Sequence, residues 1–165
     1  MNNDSTAIDV SRKAYANGYY QQKLDIGLRF QDVVTRALYQ RGIVVVGFAS
    51  RTFQTQVGEN MLGAEIKRDD RFRATGNLYI EVAEKSHPDK CEYVPSGIHR
   101  EDNSWLFVIG DELLVYIFAT KYLRMLEPRY KHTETPTSRG FLIPLVDASK
   151  YCIREIHLRE EEGIA

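Results

Sequence analysis

The sequence predicts a single α/β (α+β) domain, in which helices flank one central mixed sheet. Three observations carry this. The chain has 165 residues, enough for one domain with its own core. Apolar residues recur at helical spacing near the start and again near the end. Between these lie five or six short runs rich in β-branched and aromatic residues, punctuated by Gly, Pro, Asp and Asn.

Residues 1–20 are polar and small and read as a loose arm or a weak helix, which leaves 21–165 as the domain. From Lys23 to Arg41, Leu24, Leu28, Val34 and Leu38 form a helical stripe that Phe30, Val33 and Ala37 widen, and Gly42 stops it. "IVVVGFAS" (43–50) suits a strand. "LGAEIK" and "NLYIEVAEK" read as two more, joined by the excursion "RDDRFRATG" that turns at Gly76. Residues 86–103 read as a loop. "SWLFVIGDELLVYIFAT" is a hairpin turning at Gly110-Asp111. A helix capped by Thr120 and ended by Pro128 follows. "GFLIPL" is a strand that Pro144 places at an edge. Asp147 is positioned to cap a last helix, "ASKYCIREIHLREE", ending near Gly163.

The formal net charge is −1, so a nucleic-acid partner requires a local basic patch and not a polycation. Two cysteines, Cys91 and Cys152, make no disulfide framework, and a reducing cytoplasm is the expected compartment. The longest apolar runs fall far short of the ~20 residues of a membrane span. There is no P-loop and no convincingly spaced Ser-His-Asp or Cys-His set. His87, Cys91 and His99 share one loop but lack the second Cys or His of a zinc pair. Cys152 and Trp105 are expected in the core.

The chemistry concentrates in "GENMLGAEIKRDDRFRATGN" (58–77). On a strand, Glu65, Lys67 and Asp69 share one face and Ile66 points the other way. Two acids and a lysine on one face are costly in a buried sheet unless that face is wet or holds a cation. Mg²⁺ takes one or two carboxylates with waters. A lysine two residues on can orient or deprotonate an attacking water, or stabilise charge on a phosphate. Glu59 is the nearest acid upstream of Glu65, and Gly58 and Gly63 let the chain turn so that the two converge. Glu81 is either a further ligand or a group that orients Lys67.

The acid, a short interval and "EIK" on a strand resemble the PD-(D/E)xK nuclease superfamily. The wider set "GEN", "GAEIKRD", "TGNLYIE", "PSGI" and "SWLFV" is similar to phage- and prophage-associated proteins in it, over about residues 24–158. The resemblance implies a restriction-endonuclease-like fold and phosphodiester hydrolysis of DNA with Mg²⁺, or Mn²⁺ in its place. It implies Glu59 and Glu65 as metal-binding catalytic acids and Lys67 as the catalytic lysine. The family usually has Asp where Glu59 stands. An acid on the first helix is also common there; Gln31 and Asp32 are the choices, with Asp32 one helical residue off.

Arg68, Arg71 and Arg73 are either a solvated cluster or phosphate contacts. Asn77, with Thr75 and Gly76, either forms an ordinary turn or approaches the metal or backbone. Ser96-Gly97-Ile98 is a loop anchor or a backbone approach to phosphate. Cutting both strands of a duplex usually calls for two sites, which makes a homodimer reasonable. The departure at Glu59 motivates an alternative: a nuclease fold without catalysis that binds DNA or a protein. An unrelated α+β protein with a surface charge cluster predicts that Glu59, Glu65 and Lys67 do not converge.

Overall fold

A computed structural model describes the backbone of residues 4–158, with side chains from 21 onward. The elements in chain order are α1 (Asp4–Gln40), α2 (Arg51–Val57), β1 (Ala64–Arg68), α3 (Phe72–Thr75), β2 (Asn77–Glu84) and β3 (Val94–Pro95). A 3-10 turn at Gly97–His99 leads to β4 (Leu106–Gly110), β5 (Leu114–Ala119) and α4 (Thr120–Leu126). A second 3-10 turn, Glu127–Arg129, is followed by β6 (His132–Glu134), β7 (Ser138–Pro144), α5 (Leu145–Tyr151) and β8 (Arg154–His157). The chain is therefore a mixed α+β protein.

The strands form two four-stranded sheets, where the sequence suggested one. The first has the order β1-β4-β5-β8 and is mixed, since β1 runs parallel to β4 and the other pairs are antiparallel. The second, β3-β2-β7-β6, is antiparallel throughout.

Alternation along β5 explains the layers. Val115 and Ile117 pack with Phe30, Val34 and Leu38 of α1. Leu114, Tyr116 and Phe118 face the other way and meet Leu78 and Ile80 of β2, Phe141 and Ile143 of β7, and Leu123 of α4. Such a strand is apolar at every position because both faces are covered. Each fully buried Leu, Ile or Phe contributes roughly 1.5–3 kcal/mol.

Several elements differ from expectation. The helix over 23–41 begins much earlier, at Asp4, and takes in the polar segment before it. Residues 43–50 make one isolated bridge, Gly47 to Asn60, and no strand. Val44 and Val46 stay exposed because no partner strand lies beside them. Pro144 ends β7, which is a central strand, at its pairing with Asn77. A missing N–H is tolerated at a strand terminus.

The last helix stops at Tyr151, and β8 replaces its second half, with Ile156 buried against α1. The expected end near Gly163 lies outside the described residues. Neither proposed cap forms: Thr120 is the first helical residue without a capping bond, and Asp147 instead accepts from Tyr130 Oη at 2.9 Å. Among the described residues, no helix is long and apolar enough to cross a membrane.

Candidate active site

β1 presents Ala64 and Ile66 to the α1 core, so Glu65 and Lys67 project from its opposite face. Glu65 pairs in register with Phe107 and Lys67 with Ile109. This places the two charges beside the second sheet. Glu65 is 1% exposed, and Lys67 Nζ lies 2.8 Å from its Oε1 as an ion pair. Lys67 serves Oε1, while Oε2 has no hydrogen-bond partner, which is costly for a buried carboxylate.

Glu59 reaches the same place through the loop before β1. Gly58 and Gly63 turn at φ +135° and +70°, where a Cβ would strike Asn103. Buried Asn60 pins the loop: its Nδ2 donates to Ala64 O at 2.7 Å, and its Oδ1 accepts from Ala64 N at 3.0 Å.

From the helix side, Gln31 Nε2 lies 3.4 Å from Glu59 Oε2. Gln31 thus brings α1 to the site. Asp32, the next residue along the helix, is exposed. One residue along a helix turns a side chain by about 100°.

Arg100, just after the 3-10 turn, joins these groups. Its Nη1 is 3.9 Å from both Glu59 Oε1 and Glu65 Oε2. Its Nε is 3.2 Å from the buried carboxylate of Asp102, and Nη2 donates to Gln54 O at 3.2 Å. Nothing in the local pattern "IHRED" signals this role, because the contacts join segments distant in sequence.

Glu81 closes the cluster from β2, where the pairing with β7 bulges between Glu81 and Ala83. Its Oε1 accepts from Ser96 Oγ at 2.6 Å and its Oε2 from Ser138 Oγ at 3.0 Å, and Ser138 also bonds Tyr79 Oη at 2.7 Å. Lys67 Nζ is 3.9 Å from Glu81 Oε1. With both oxygens committed to hydroxyls, Glu81 is arranged to hold Lys67.

The electrostatics follow. Burial, and then the neighbouring Glu65 carboxylate, push the Glu59 carboxyl up to about 7. Burial works against the charge on Lys67, but Glu65 and Glu81 outweigh it and hold the ammonium well above its ordinary value. Lys67 is therefore a fixed cation near neutral pH and a poor proton acceptor.

Two clefts meet at Lys67, Arg68 and Asp70. The larger, about 480 Å³, is walled by Asn77, Tyr79 and Glu81. The smaller, about 340 Å³, runs along α1 past Gln31 to Glu59.

The three arginines fare differently. Arg68 bonds Glu112 and Asp70, each at 2.8 Å, and Arg73 bonds Asp111 at 2.5 Å. Arg71 lines the larger cleft and has no carboxylate partner among the described residues. Asn77 donates from Nδ2 to Thr75 O at 2.7 Å, so it serves the turn. Asp69 lies beyond β1 and accepts from the backbone of Arg71 and Tyr79. Trp105, expected in the core, is 57% exposed, with its Nε1 bonded to Leu62 O at 2.6 Å. Cys91 is exposed, and Cys152 lies half-buried at the core's margin.

Among the described residues, no group of three or more His, Cys, Asp or Glu side chains has the geometry to hold a metal ion. Comparison with protein-family models, with characterised proteins and with solved structures gives no match for this chain.

Proposed function

We propose that this chain is a divalent-metal-dependent endonuclease of restriction-endonuclease-like fold, hydrolysing phosphodiester bonds in DNA. The observation that carries the reading is convergence. Glu59, Glu65 and Lys67 come from a loop and a strand yet form one cluster, with Arg100 between the two acids. An unrelated protein with a surface charge cluster has no reason to bring them together.

The donor set fits Mg²⁺. That ion is commonly held by one or two carboxylates, with waters and substrate phosphate completing the shell. Glu59 and Glu65 are two such carboxylates. Glu65 is buried with its Oε2 lacking a hydrogen-bond partner, and Glu59 resists ionisation beside it. A cation between them relieves both costs. Mg²⁺, or Mn²⁺, supplies charge neutralisation at the scissile phosphate.

The protein's own groups do the rest. Lys67, held charged, places a cation beside developing negative charge on the phosphate and orients the attacking water. Glu81, fixed by Ser96 and Ser138, holds the Lys67 amine in position. Arg71 at the cleft rim is the arginine available to contact a flanking phosphate. Two copies of the chain would supply the two sites that a duplex cut requires.

The test is cleavage of duplex, single-stranded and branched DNA, and of RNA, with Mg²⁺ or Mn²⁺. Glu65→Ala and Lys67→Ala are each expected to lower cleavage by ~100-fold or more while the near-UV circular dichroism is kept. Unchanged cleavage by either variant sinks the assignment.

One observation favours the second reading, a nuclease fold that binds DNA or a protein without cutting. The Lys67–Glu65 ion pair and Arg100 already offset part of the acids' charge. Intact DNA binding with no cleavage and no metal binding would favour it.

A further inference from the structure

We infer that Arg100 is a built-in counter-ion of the Glu59–Glu65 pair and competes with a divalent cation for it. This rests on reading those two carboxylates as the cation site. One guanidinium nitrogen, Nη1, stands 3.9 Å from an oxygen of each acid. The two acids that would share a metal ion therefore already share a unit positive charge.

Arg100 is not free to leave. Asp102, whose carboxylate is 1% exposed, lies 3.2 Å from its Nε, and Gln54 O accepts from its Nη2. A tethered guanidinium cannot move out as a dication moves in. The two charges then repel at close range in a partly buried site, where screening is weak.

The consequence is a site that binds a free metal ion weakly and gains affinity when a phosphate joins it. The phosphate's negative charge offsets Arg100 and supplies further oxygen ligands. Arg100 is also placed to meet that phosphate, since guanidinium pairs well with its oxygens. In this way the side chain couples metal occupancy to substrate occupancy.

The test is Mn²⁺ binding without nucleic acid, read from the electron paramagnetic resonance signal of the free ion at pH 7.5. Arg100→Gln is expected to bind Mn²⁺ ~10-fold or more tightly than the natural chain, because a like charge beside the ion is gone. Arg100→Lys keeps the charge and is expected to stay near the natural affinity. In the double variant Glu59→Gln with Arg100→Gln the gain should vanish. Arg100→Met, which keeps the apolar stem, carries the same test if the Gln variant fails to fold.

The inference is overturned by no gain in the charge-neutral variants, by an equal gain in Arg100→Lys, or by a gain that survives loss of Glu59. Cleavage plays no part in this measurement. A gain without any nuclease activity would sink the proposed function and leave this inference standing. Cleavage without the gain would do the reverse.

Discussion

Glu59→Gln should make the protein more stable at pH 8 and leave it nearly unchanged at pH 4.5. The Glu59 carboxyl is raised from 4.5 to about 7 by burial and by Glu65. A group whose folded value is raised binds its proton more tightly in the native state than in the unfolded chain. Its contribution is fully present below the unfolded value and is lost as pH rises through the folded one. The window is therefore about pH 4.5 to 7. At about 1.4 kcal/mol per pH unit, the ceiling on that loss is ~3 kcal/mol. The side chain is 30% exposed and interacts with several neighbours, so ~1–2 kcal/mol is the expected size. Glutamine keeps the shape and cannot ionise, so it removes this slope. Urea unfolding of both proteins at pH 5, 6, 7 and 8 measures it. The stability of the natural chain relative to the variant should fall from pH 5 to 7 and level off towards pH 8. A flat difference, or one of opposite sign, would show that Glu59 is comfortably ionised and that the acids do not crowd one another.

Two further outcomes follow from single side chains. Asn60→Ala removes both bonds that Asn60 makes to Ala64, leaving a buried N–H and a buried carbonyl at the start of β1. At ~1–3 kcal/mol for each of the two unsatisfied groups, a loss of ~2–6 kcal/mol is expected in chemical denaturation; a loss under ~1 kcal/mol would mean that water reaches the loop. Trp105 is the single tryptophan, and its exposure predicts emission that acrylamide quenches readily in the native state; native emission shielded from the quencher would refute that placement.

How much of this was legible in the sequence depended on whether a signal was local. The β4–β5 hairpin was readable because its turn chemistry lies within it: Asp111 Oδ1 accepts from the backbone of Leu113 and Leu114, at 2.9 and 3.0 Å. The part of the stripe carried by Phe30, Val34 and Leu38 was readable because that face of α1 packs on one sheet, whereas Leu28 and Val33 of the expected stripe are exposed. The convergence of Glu59 with Glu65 could be anticipated from two glycines and a short interval. By contrast, "ASKYCIREIHLREE" has helical spacing along its length, and only the free edge of β5 draws its middle into β8. "IVVVGFAS" has strand composition but no neighbour to pair with beyond Asn60. Gln31 and not Asp32 lies beside Glu59 because one helical step turns a side chain by about 100°. Arg100 depended on tertiary contacts to three separate segments.

The charges that the ion pairs place in the cluster are unevenly shared. Four carboxylates, Glu59, Glu65, Glu81 and Asp102, surround two fixed cations, Lys67 and Arg100. Glu81 is satisfied by two serine hydroxyls, while Asp102 accepts from the backbone N–H of Ser104 on Oδ1 and meets Arg100 on Oδ2 only as an ion pair. Glu59 and Glu65 share what remains of the charge of Lys67 and Arg100. Glu65 is sealed from water, so the partly exposed Glu59 is the group that can respond. It does so by holding a proton up to about pH 7. A proton and a dication are alternative answers to the same excess. A structural ion-pair network would have been closed by one more lysine or arginine. Leaving the excess on two adjacent acids lowers stability, and under the proposed nuclease function it is the charge that a divalent cation from solution would meet.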